Sequence, residues 1–165
     1  MVTGSVAAAF RGVSRATMDV DLVIDPSAAA LDELVRRVEA LGLYVSEDAA
    51  REALAHEGMF NVVDPETGWK ADLIVRKRRP FSEAEFARRE VVDFLGINLA
   101  VASLEDVILT KLEWARLGAS ARQIEDVRGL LRLAGDHVDR GYLERWLDPL
   151  GVRSEWELAC EPRSS

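Results

Sequence analysis

The chain has 165 residues, a formal net charge of −8, and a composition of 48% hydrophobic and 30% charged residues, which is typical of one globular domain or of a domain with a small appendage. It contains no apolar run long enough to cross a bilayer and no secretory signal pattern, and its negative charge disfavours the wrapping of duplex DNA. Because Cys160 is the only cysteine and His56 and His137 are the only histidines, a disulfide framework and a Cys-based zinc site are excluded, and we expect a reducing cytoplasm and oxygen ligands for any metal.

The first hundred residues read as alternating helices and strands. The turn Gly4-Ser5 opens a short helix, and VDLVI at 20–24 is a strand of aliphatic residues. Apolar residues at helical spacing after Ser27 predict a helix that ends at Gly42. The sequence then predicts a strand at LYVS (43–46), a helix at 48–57, a hairpin of MFNVVD and KADLIVR around the turn PETG, a helix at 82–89 and a strand or hairpin at 91–101.

From residue 103 onward the pattern is helical. Ser103 with Asp106 resembles a capping box, Ser120 with Gln123 caps a second helix, and Asp139 starts a third. The predicted fold class is therefore α+β, with a mixed β-sheet core, flanking helices and a helical C-terminal part. We expect an α/β lobe at 1–101 whose N-terminal strand is abbreviated, a helical lobe at 103–159 and a tail at 160–165.

Two aspartates lie one residue apart beside the first aliphatic run. Side chains alternate along a strand, so Asp19 and Asp21 share one face, with Cα atoms roughly 6.5–7 Å apart. Their repulsion is relieved if one is protonated or if a hard cation such as Mg²⁺ or Mn²⁺ lies between them. Asp72 joins them if its strand pairs beside 20–24, and three carboxylates can hold two metal ions about 3.5–4 Å apart. The alternative is that Asp-x-Asp merely marks a strand end or a solvated edge.

Gly4 and Ser5 precede the aspartates by one short helix. Glycine allows the backbone to approach a ligand closely, and the first N–H groups of a helix bind phosphate. Taken alone, the same pair is an ordinary helix cap.

Several charged and aromatic residues leave two interpretations open. Lys111 lies on the inward stripe of its helix and must either pair with a structural carboxylate or contact a phosphate. Arg122 and Asp126 are spaced for a salt bridge on one helix.

The tryptophans fit core or interface positions better than base stacking; they are Trp114, Trp146 and Trp156. The basic cluster binds an RNA acceptor or an acidic protein face, or is a solvated loop that balances nearby glutamates; its members are Arg76, Lys77, Arg78, Arg79, Arg88 and Arg89.

The combined pattern resembles the polymerase-β-type nucleotidyltransferase superfamily. The likeness rests on Gly4-Ser5, the following helix, the run Arg15-x-Thr17-x-Asp19-x-Asp21 and the later Asp72. It is greatest to minimal nucleotidyltransferases and to bacterial abortive-infection toxin or antitoxin proteins, and it spans roughly residues 2 to 150.

The resemblance implies a nucleoside triphosphate substrate, Mg²⁺ or Mn²⁺, and transfer of a nucleoside monophosphate to a hydroxyl of an RNA, a protein or a small molecule. It also implies which residues carry the chemistry. The metal-binding and catalytic residues are Asp19, Asp21 and Asp72, and the nucleotide-binding residues are Gly4, Ser5, Arg15, Thr17 and Lys111.

The sequence departs from the family before Gly4. Only Met1, Val2 and Thr3 precede it, where the family usually has a helix and a full strand. Either the start codon is misassigned or the first strand is a stub, and a missing central strand would expose a sheet edge and weaken the phosphate site. The alternative function is therefore a catalytically inactive binding protein or a toxin–antitoxin component. A lysine that bridges the carboxylates in place of ions would remove the basis for the metal chemistry. A toxin–antitoxin partner and a second copy of the chain are the candidate protein partners, and no membrane partner is expected.

Overall fold

The computed structural model describes residues 1–13 and 18–161, which form one mixed seven-stranded sheet flanked by helices. The strands are β1 (Val2–Thr3), β2 (Asp19–Ile24), β3 (Tyr44–Val45), β4 (Met59–Val63), β5 (Lys70–Val75), β6 (Glu90–Phe94) and β7 (Ile97–Val101). The helices are α1 (Gly4–Phe10), α2 (Ala28–Ala40), α3 (Glu47–His56), α4 (Pro80–Ala87), α5 (Leu104–Gly118), α6 (Ala121–Ala134), α7 (Arg140–Leu150) and α8 (Arg153–Cys160), with a 3₁₀ turn at Gly135–His137. This confirms the predicted α+β class. Within the described ranges, no helix is both long and apolar enough to span a membrane.

The short first strand lies in the middle of the sheet, whose order is β3-β4-β5-β2-β1-β7-β6. Thr3 pairs with Asp21 in antiparallel β2, and Val2 pairs with Val101 in parallel β7. The ammonium of Met1 donates a hydrogen bond of 2.8 Å to the carbonyl oxygen of Val23. The abbreviated first strand therefore pairs on both of its sides, and the sheet is continuous from β2 through β1 to β7.

Three adjacent strands bring polar side chains into one row. β2 and β5 are parallel and place Asp21 opposite Asp72. β4 and β5 form the predicted hairpin and place Asn61 opposite Asp72. Directly paired residues point to the same face of a sheet, so Asp21, Asp72 and Asn61 share a face.

Two hydrophobic cores cover the sheet. The first packs α2 and α3 on β4 and β5 through residues such as Leu31, Phe60 and Leu73. The second joins β1, α1 and β7 to the C-terminal helices and includes both Val101 and Leu143. A fully buried aliphatic side chain contributes about 1.5–3 kcal/mol, so the second core holds the helical part against the sheet.

The helix ends follow the predicted caps in most places. The Ser103 hydroxyl accepts from the Asp106 N–H at 3.3 Å and donates to the Asp106 carboxylate at 2.6 Å, and the Asp139 side chain caps α7. Ser120 precedes α6 but makes no side-chain cap hydrogen bond, so that predicted cap is wrong. Cys160, which the sequence placed in a tail, is the last residue of α8.

Candidate functional site

A cavity of about 280 Å³ lies between the sheet face of β2, β4 and β5 and the helices α5 and α6. We call it the carboxylate cavity, after Asp21 and Asp72 in its wall. Five residues that the resemblance selected from the sequence line it: Gly4, Ser5, Asp21, Asp72 and Lys111. The fold thus brings together most of a set that is spread over more than one hundred positions of the sequence.

Asp21 is packed against the backbone of Gly4. A Cβ atom on Gly4 would lie 1.9 Å from Asp21 Oδ2, and Gly4 has a φ of +60°. The sequence predicted that this glycine permits close approach, and the group that approaches is a carboxylate of the chain itself. The Ser5 N–H donates to Asp21, but burial, followed by the charge of Asp72, raises the pKa of Asp21 above its usual value. The site therefore holds two carboxylates that repel each other.

Asp72 is fixed by two donors. Its Oδ1 accepts from Asn61 Nδ2 at 2.5 Å and lies 3.1 Å from Lys70 Nζ. Its side chain is 14% exposed. Sequence reasoning placed Lys70 on the face of Asp72 but missed Asn61, although a polar residue in an aliphatic hairpin arm was a usable signal.

Asp19 does not complete the predicted three-carboxylate site. Its side chain is 56% exposed, and its Oδ1 lies 3.8 Å from Lys70 Nζ, so the Lys70 ammonium lies between Asp19 and Asp72. The hydrogen bond to Asp72 raises the pKa of Lys70. Among the described residues, no group of three His, Cys, Asp or Glu side chains is placed to hold a metal ion. Asp21 and Asp72 thus line the carboxylate cavity and Asp19 does not, and metal binding by all three aspartates stays a prediction.

The remaining pair, Asp21 and Asp72, fits a divalent ion that arrives with a nucleotide. Mg²⁺ is commonly bound by one or two carboxylates together with substrate phosphates, rather than by an all-protein cage. Burial, and then the charge of Asp72, raises the pKa of Asp21, and a divalent ion between the two carboxylates would stabilise their ionised forms.

Lys111 joins α5 to α6 at the wall of the cavity. The residue is 2% exposed, and its Nζ donates to Asp126 Oδ2 at 2.7 Å and to Gln123 Oε1 at 3.1 Å. Asp126 therefore pairs with Lys111 and not, as the sequence predicted, with Arg122, whose side chain is exposed. Lys111 therefore pairs with a structural carboxylate. Because it also lines the cavity, its contact with a phosphate stays a prediction.

Trp114 is the clearest departure from the sequence interpretation. It is 46% exposed and lines the cavity, whereas a core or interface position was expected. Trp156 is buried, and Trp146 packs edge-on against Phe81, as expected. The remaining two predicted nucleotide-binding residues, Arg15 and Thr17, lie outside the described residues.

Ion pairs within the chain occupy much of the basic cluster. Arg76 donates to Asp25, Arg79 makes two hydrogen bonds to Glu113, and Arg88 donates to Glu105. The exposed members are Lys77, Arg78 and Arg89. An RNA or protein acceptor bound through this cluster stays a prediction, and it now depends mainly on those three side chains.

Three solved structures are similar to this chain in fold. The antibiotic-resistance factor ANT(2'')-Ia in solution has a TM-score of 0.57 at 17% identity over 94% of this chain and 85% of that one. ANT(2'')-Ia in complex with adenylyl-2''-tobramycin has a TM-score of 0.57 at 19% identity over 93% and 87%. An antigenic nucleotidyltransferase-like protein from Paracoccidioides brasiliensis has a TM-score of 0.53 at 20% identity over 96% and 82%. No protein-family model matches the chain, and no curated protein matches it by sequence.

Proposed function

The chain has the polymerase-β-type nucleotidyltransferase fold, and we propose that it transfers a nucleoside monophosphate from a nucleoside triphosphate to a hydroxyl group. One observation carries the proposal: Asp21 and Asp72 are directly paired on β2 and β5 and face a cavity that Lys111 also lines. Paired, partly buried carboxylates in a cavity are costly for stability and are typical of functional sites. The solved complex of ANT(2'')-Ia with adenylyl-2''-tobramycin supports a hydroxyl-bearing acceptor by likeness of fold.

In the proposed reaction the acceptor hydroxyl oxygen attacks the α-phosphorus of the triphosphate. The bond from the α-phosphorus to the oxygen that bridges to the β-phosphorus breaks, and pyrophosphate leaves with that bonding pair. Asp72 accepts the hydroxyl proton. Such reactions depend mainly on positioning and on stabilisation of charge.

Different side chains would hold the triphosphate. Lys111 and the Ser5 hydroxyl would contact phosphate oxygens, and Gly4 leaves room for Asp21. Arg15 and Thr17, which precede β2 in the sequence, are proposed to contribute as well. Mg²⁺ or Mn²⁺, held by Asp21 and Asp72, would supply neutralisation of the phosphate charge. Asp19 would join them if Lys70 moved aside.

Labelled nucleoside triphosphates test the proposal directly. The protein is incubated with each α-labelled nucleoside triphosphate, Mg²⁺ or Mn²⁺ and a cell extract, and label is followed onto any acceptor. We expect transfer that falls at least a hundredfold in Asp21→Asn and Asp72→Asn and less in Asp19→Asn, whose side chain is exposed. The exposed Asp48 of α3 gives a matched control, Asp48→Asn, with full activity. Transfer that survives in Asp21→Asn would contradict the role of the carboxylate pair.

A second candidate function is a catalytically inactive, cytoplasmic binding protein that acts in a toxin–antitoxin pair. Lys70 favours it, because its ammonium lies between Asp19 and Asp72, where the resemblance implies a metal ion. This candidate predicts no label on any acceptor with any of the nucleotides and a partner protein that binds equally well to wild type and Asp72→Asn.

A further inference from the structure

A second cavity, also about 280 Å³, continues from the carboxylate cavity along the same sheet face. Five residues line both cavities, namely Thr3, Met59, Ile74, Thr110 and Trp114. The two cavities are therefore compartments of one groove between the sheet and α5. Together they reach the size of pockets that bind small molecules.

A buried carboxylate lines the second cavity. Glu85 of α4 is 5% exposed, and its Oε1 accepts from the Thr110 hydroxyl at 3.3 Å. Within residues 1–13 and 18–161, no cation lies within 4.0 Å of its oxygens, because the nearby Arg79 makes its two-pronged contact with Glu113 instead. Burial, and then the charge of Asp106, raises the pKa of Glu85 to about 7. Glu85 is therefore a buried carboxyl group whose ionised form has no counter-ion within 4.0 Å among the described residues.

Two further polar groups at this groove lack partners. The Thr3 hydroxyl and Arg76 Nη1 are buried without a hydrogen bond in the described part of the chain. Buried polar groups are almost always paired, so such exceptions call for an explanation. Both residues line the second cavity, so the hydroxyl or ether oxygens of a ligand bound there are candidate acceptors for these two donors.

We propose that the second cavity is the acceptor subsite and that it selects small molecules that carry an amino group beside the reacting hydroxyl. The ammonium pairs with Glu85, the Trp114 ring covers the carbon skeleton, and the hydroxyl extends to Asp72. The role of the bound molecule as an acceptor rests on the proposed function, whereas the binding of an amine is argued from the second cavity alone.

The charges of the groove disfavour an anionic acceptor. Arg76 and Arg79 line the cavity and are paired with Asp25 and Glu113, which leaves the exposed Lys77 as the one lining cation without an ion pair among the described residues. Phosphate groups of RNA require unpaired arginine or lysine side chains. An ammonium, by contrast, meets the buried Glu85, and a charge-assisted hydrogen bond is stronger at a buried position than in water.

Calorimetric binding at pH 8 without nucleotide tests the inference. The probes are tobramycin, an amine-bearing molecule of three rings, and raffinose, an uncharged sugar of three rings. We expect tobramycin to bind wild type at least tenfold more tightly than raffinose and to bind Glu85→Gln at least tenfold more weakly than wild type. Glu83→Gln, which removes an exposed charge from the same helix, controls for non-specific attraction and leaves the affinity unchanged.

A second variant guards against loss of folding in Glu85→Gln. Trp114 is half-exposed, so Trp114→Ala preserves the fold and is expected to weaken tobramycin binding severalfold. The proposal is overturned if tobramycin does not bind, if raffinose binds equally, or if Glu85→Gln and Trp114→Ala bind tobramycin as wild type does. If tobramycin binds through Glu85 but no nucleotide is ever transferred, the proposed function fails alone. If transfer occurs and Glu85→Gln has no effect on tobramycin, this inference fails alone.

Discussion

At Gly4, the Asp21 carboxylate occupies the space that a side chain would need, with Oδ2 1.9 Å from the Cβ position. We predict that Gly4→Ala displaces Asp21 and lowers the free energy of unfolding by about 3 kcal/mol. About 1–2 kcal/mol of this comes from the positive φ and the rest from overpacking. Urea unfolding measures the stability, and nucleotide transfer is expected to be lost.

Gly96, at the β6–β7 turn, provides a matched control for that prediction. It also has a positive φ, +80°, but no atom lies within 4 Å of its Cβ position. Gly96→Ala is therefore expected to lower the free energy of unfolding only by the backbone strain, about 1–2 kcal/mol, and to leave the carboxylate pair intact. Equal losses of stability in the two variants would show that Asp21 is not pressed against Gly4.

Lys70 competes with any metal ion for the same oxygens. Its Nζ lies 3.1 Å from Asp72 Oδ1 and 3.8 Å from Asp19 Oδ1. We predict that Lys70→Met raises the affinity for Mn²⁺ about tenfold, because the removal of one positive charge at this distance is worth roughly 1 kcal/mol or more. Titration of Mn²⁺ followed by electron paramagnetic resonance measures the affinity without reference to activity.

Lys77→Met is the control for Lys70, because Lys77 is exposed and its loss changes the net charge by the same amount. We expect little change in Mn²⁺ affinity for this variant. If Lys70→Met binds Mn²⁺ no better than Lys77→Met, the ammonium does not compete with an ion at Asp72.

The sequence predicted which side chains share a face of a strand, but not all of the contacts between neighbouring strands. The period of two placed Asp19 and Asp21 on one face, and the aliphatic run around Asp72 indicated a neighbouring strand. Which residue lies opposite Asp72 depends on the register, and the register follows from turn geometry and core packing. Asn61 could therefore not be assigned as its partner from the sequence, whereas Lys70 lies two residues before Asp72 on the same strand and shares its face by the period of two.

At the scale of elements, α5 and α6 are held together by one buried ion pair. Lys111 and Asp126 meet at 2.7 Å with side-chain exposures of 3% and 14%. We predict that Asp126→Asn and Lys111→Met each lower the free energy of unfolding by about 3 kcal/mol, because each leaves one buried group without its partner. The double variant is expected to lose at least 1 kcal/mol less than the sum, as urea unfolding of all four proteins would measure.

The same variants separate the two roles that the sequence left open for Lys111. If its ammonium contacts a phosphate, Lys111→Met raises the KM for the nucleoside triphosphate at least tenfold, while Asp126→Asn leaves that KM nearly unchanged at a temperature where both are folded. Similar KM values in both variants would mean that Lys111 is only a tether between α5 and α6.

Helix prediction succeeded where a side-chain cap marks the start. Ser27, Ser103 and Asp139 cap α2, α5 and α7, as their sequences indicated. α8 was not predicted, because it begins after Val152 with no side-chain cap and buries only Trp156 and Ala159. A helix of that kind is stabilised mainly by the core it joins, which local sequence does not reveal.

At the scale of the whole molecule, the site is a groove between two parts that fold around different cores. One wall is the sheet and the other is α5, and the residues that face each other, such as Asp72 and Lys111, are far apart in the sequence. The resemblance identified both as site residues from their sequence context. The second compartment with Glu85 could not be predicted, because it depends on how α4 packs between the sheet and α5.

Packing of α4 also makes the stability of the whole chain depend on pH. Glu85 is surrounded by Asp106, Arg79, Glu113 and the Thr110 hydroxyl, and burial is the main cause of its pKa of about 7, against an ordinary value of 4.5. Between these two values the folded chain holds a proton that the unfolded chain releases. The contribution of Glu85 to the free energy of unfolding is therefore largest below pH 4.5 and is lost as the pH rises through 7.

Glu85→Gln removes this dependence, because glutamine stays neutral at every pH while its oxygen can still accept from Thr110. We predict that the free energy of unfolding of wild type, relative to the variant, falls by about 2 kcal/mol between pH 5 and pH 8, as expected for a shift of roughly two pKa units. Urea unfolding at both pH values measures the difference, and Glu83→Gln, on the exposed side of α4, is expected to follow wild type. Parallel pH profiles for wild type and Glu85→Gln would mean that Glu85 is ionised without penalty, and that a cation already reaches it in the folded protein.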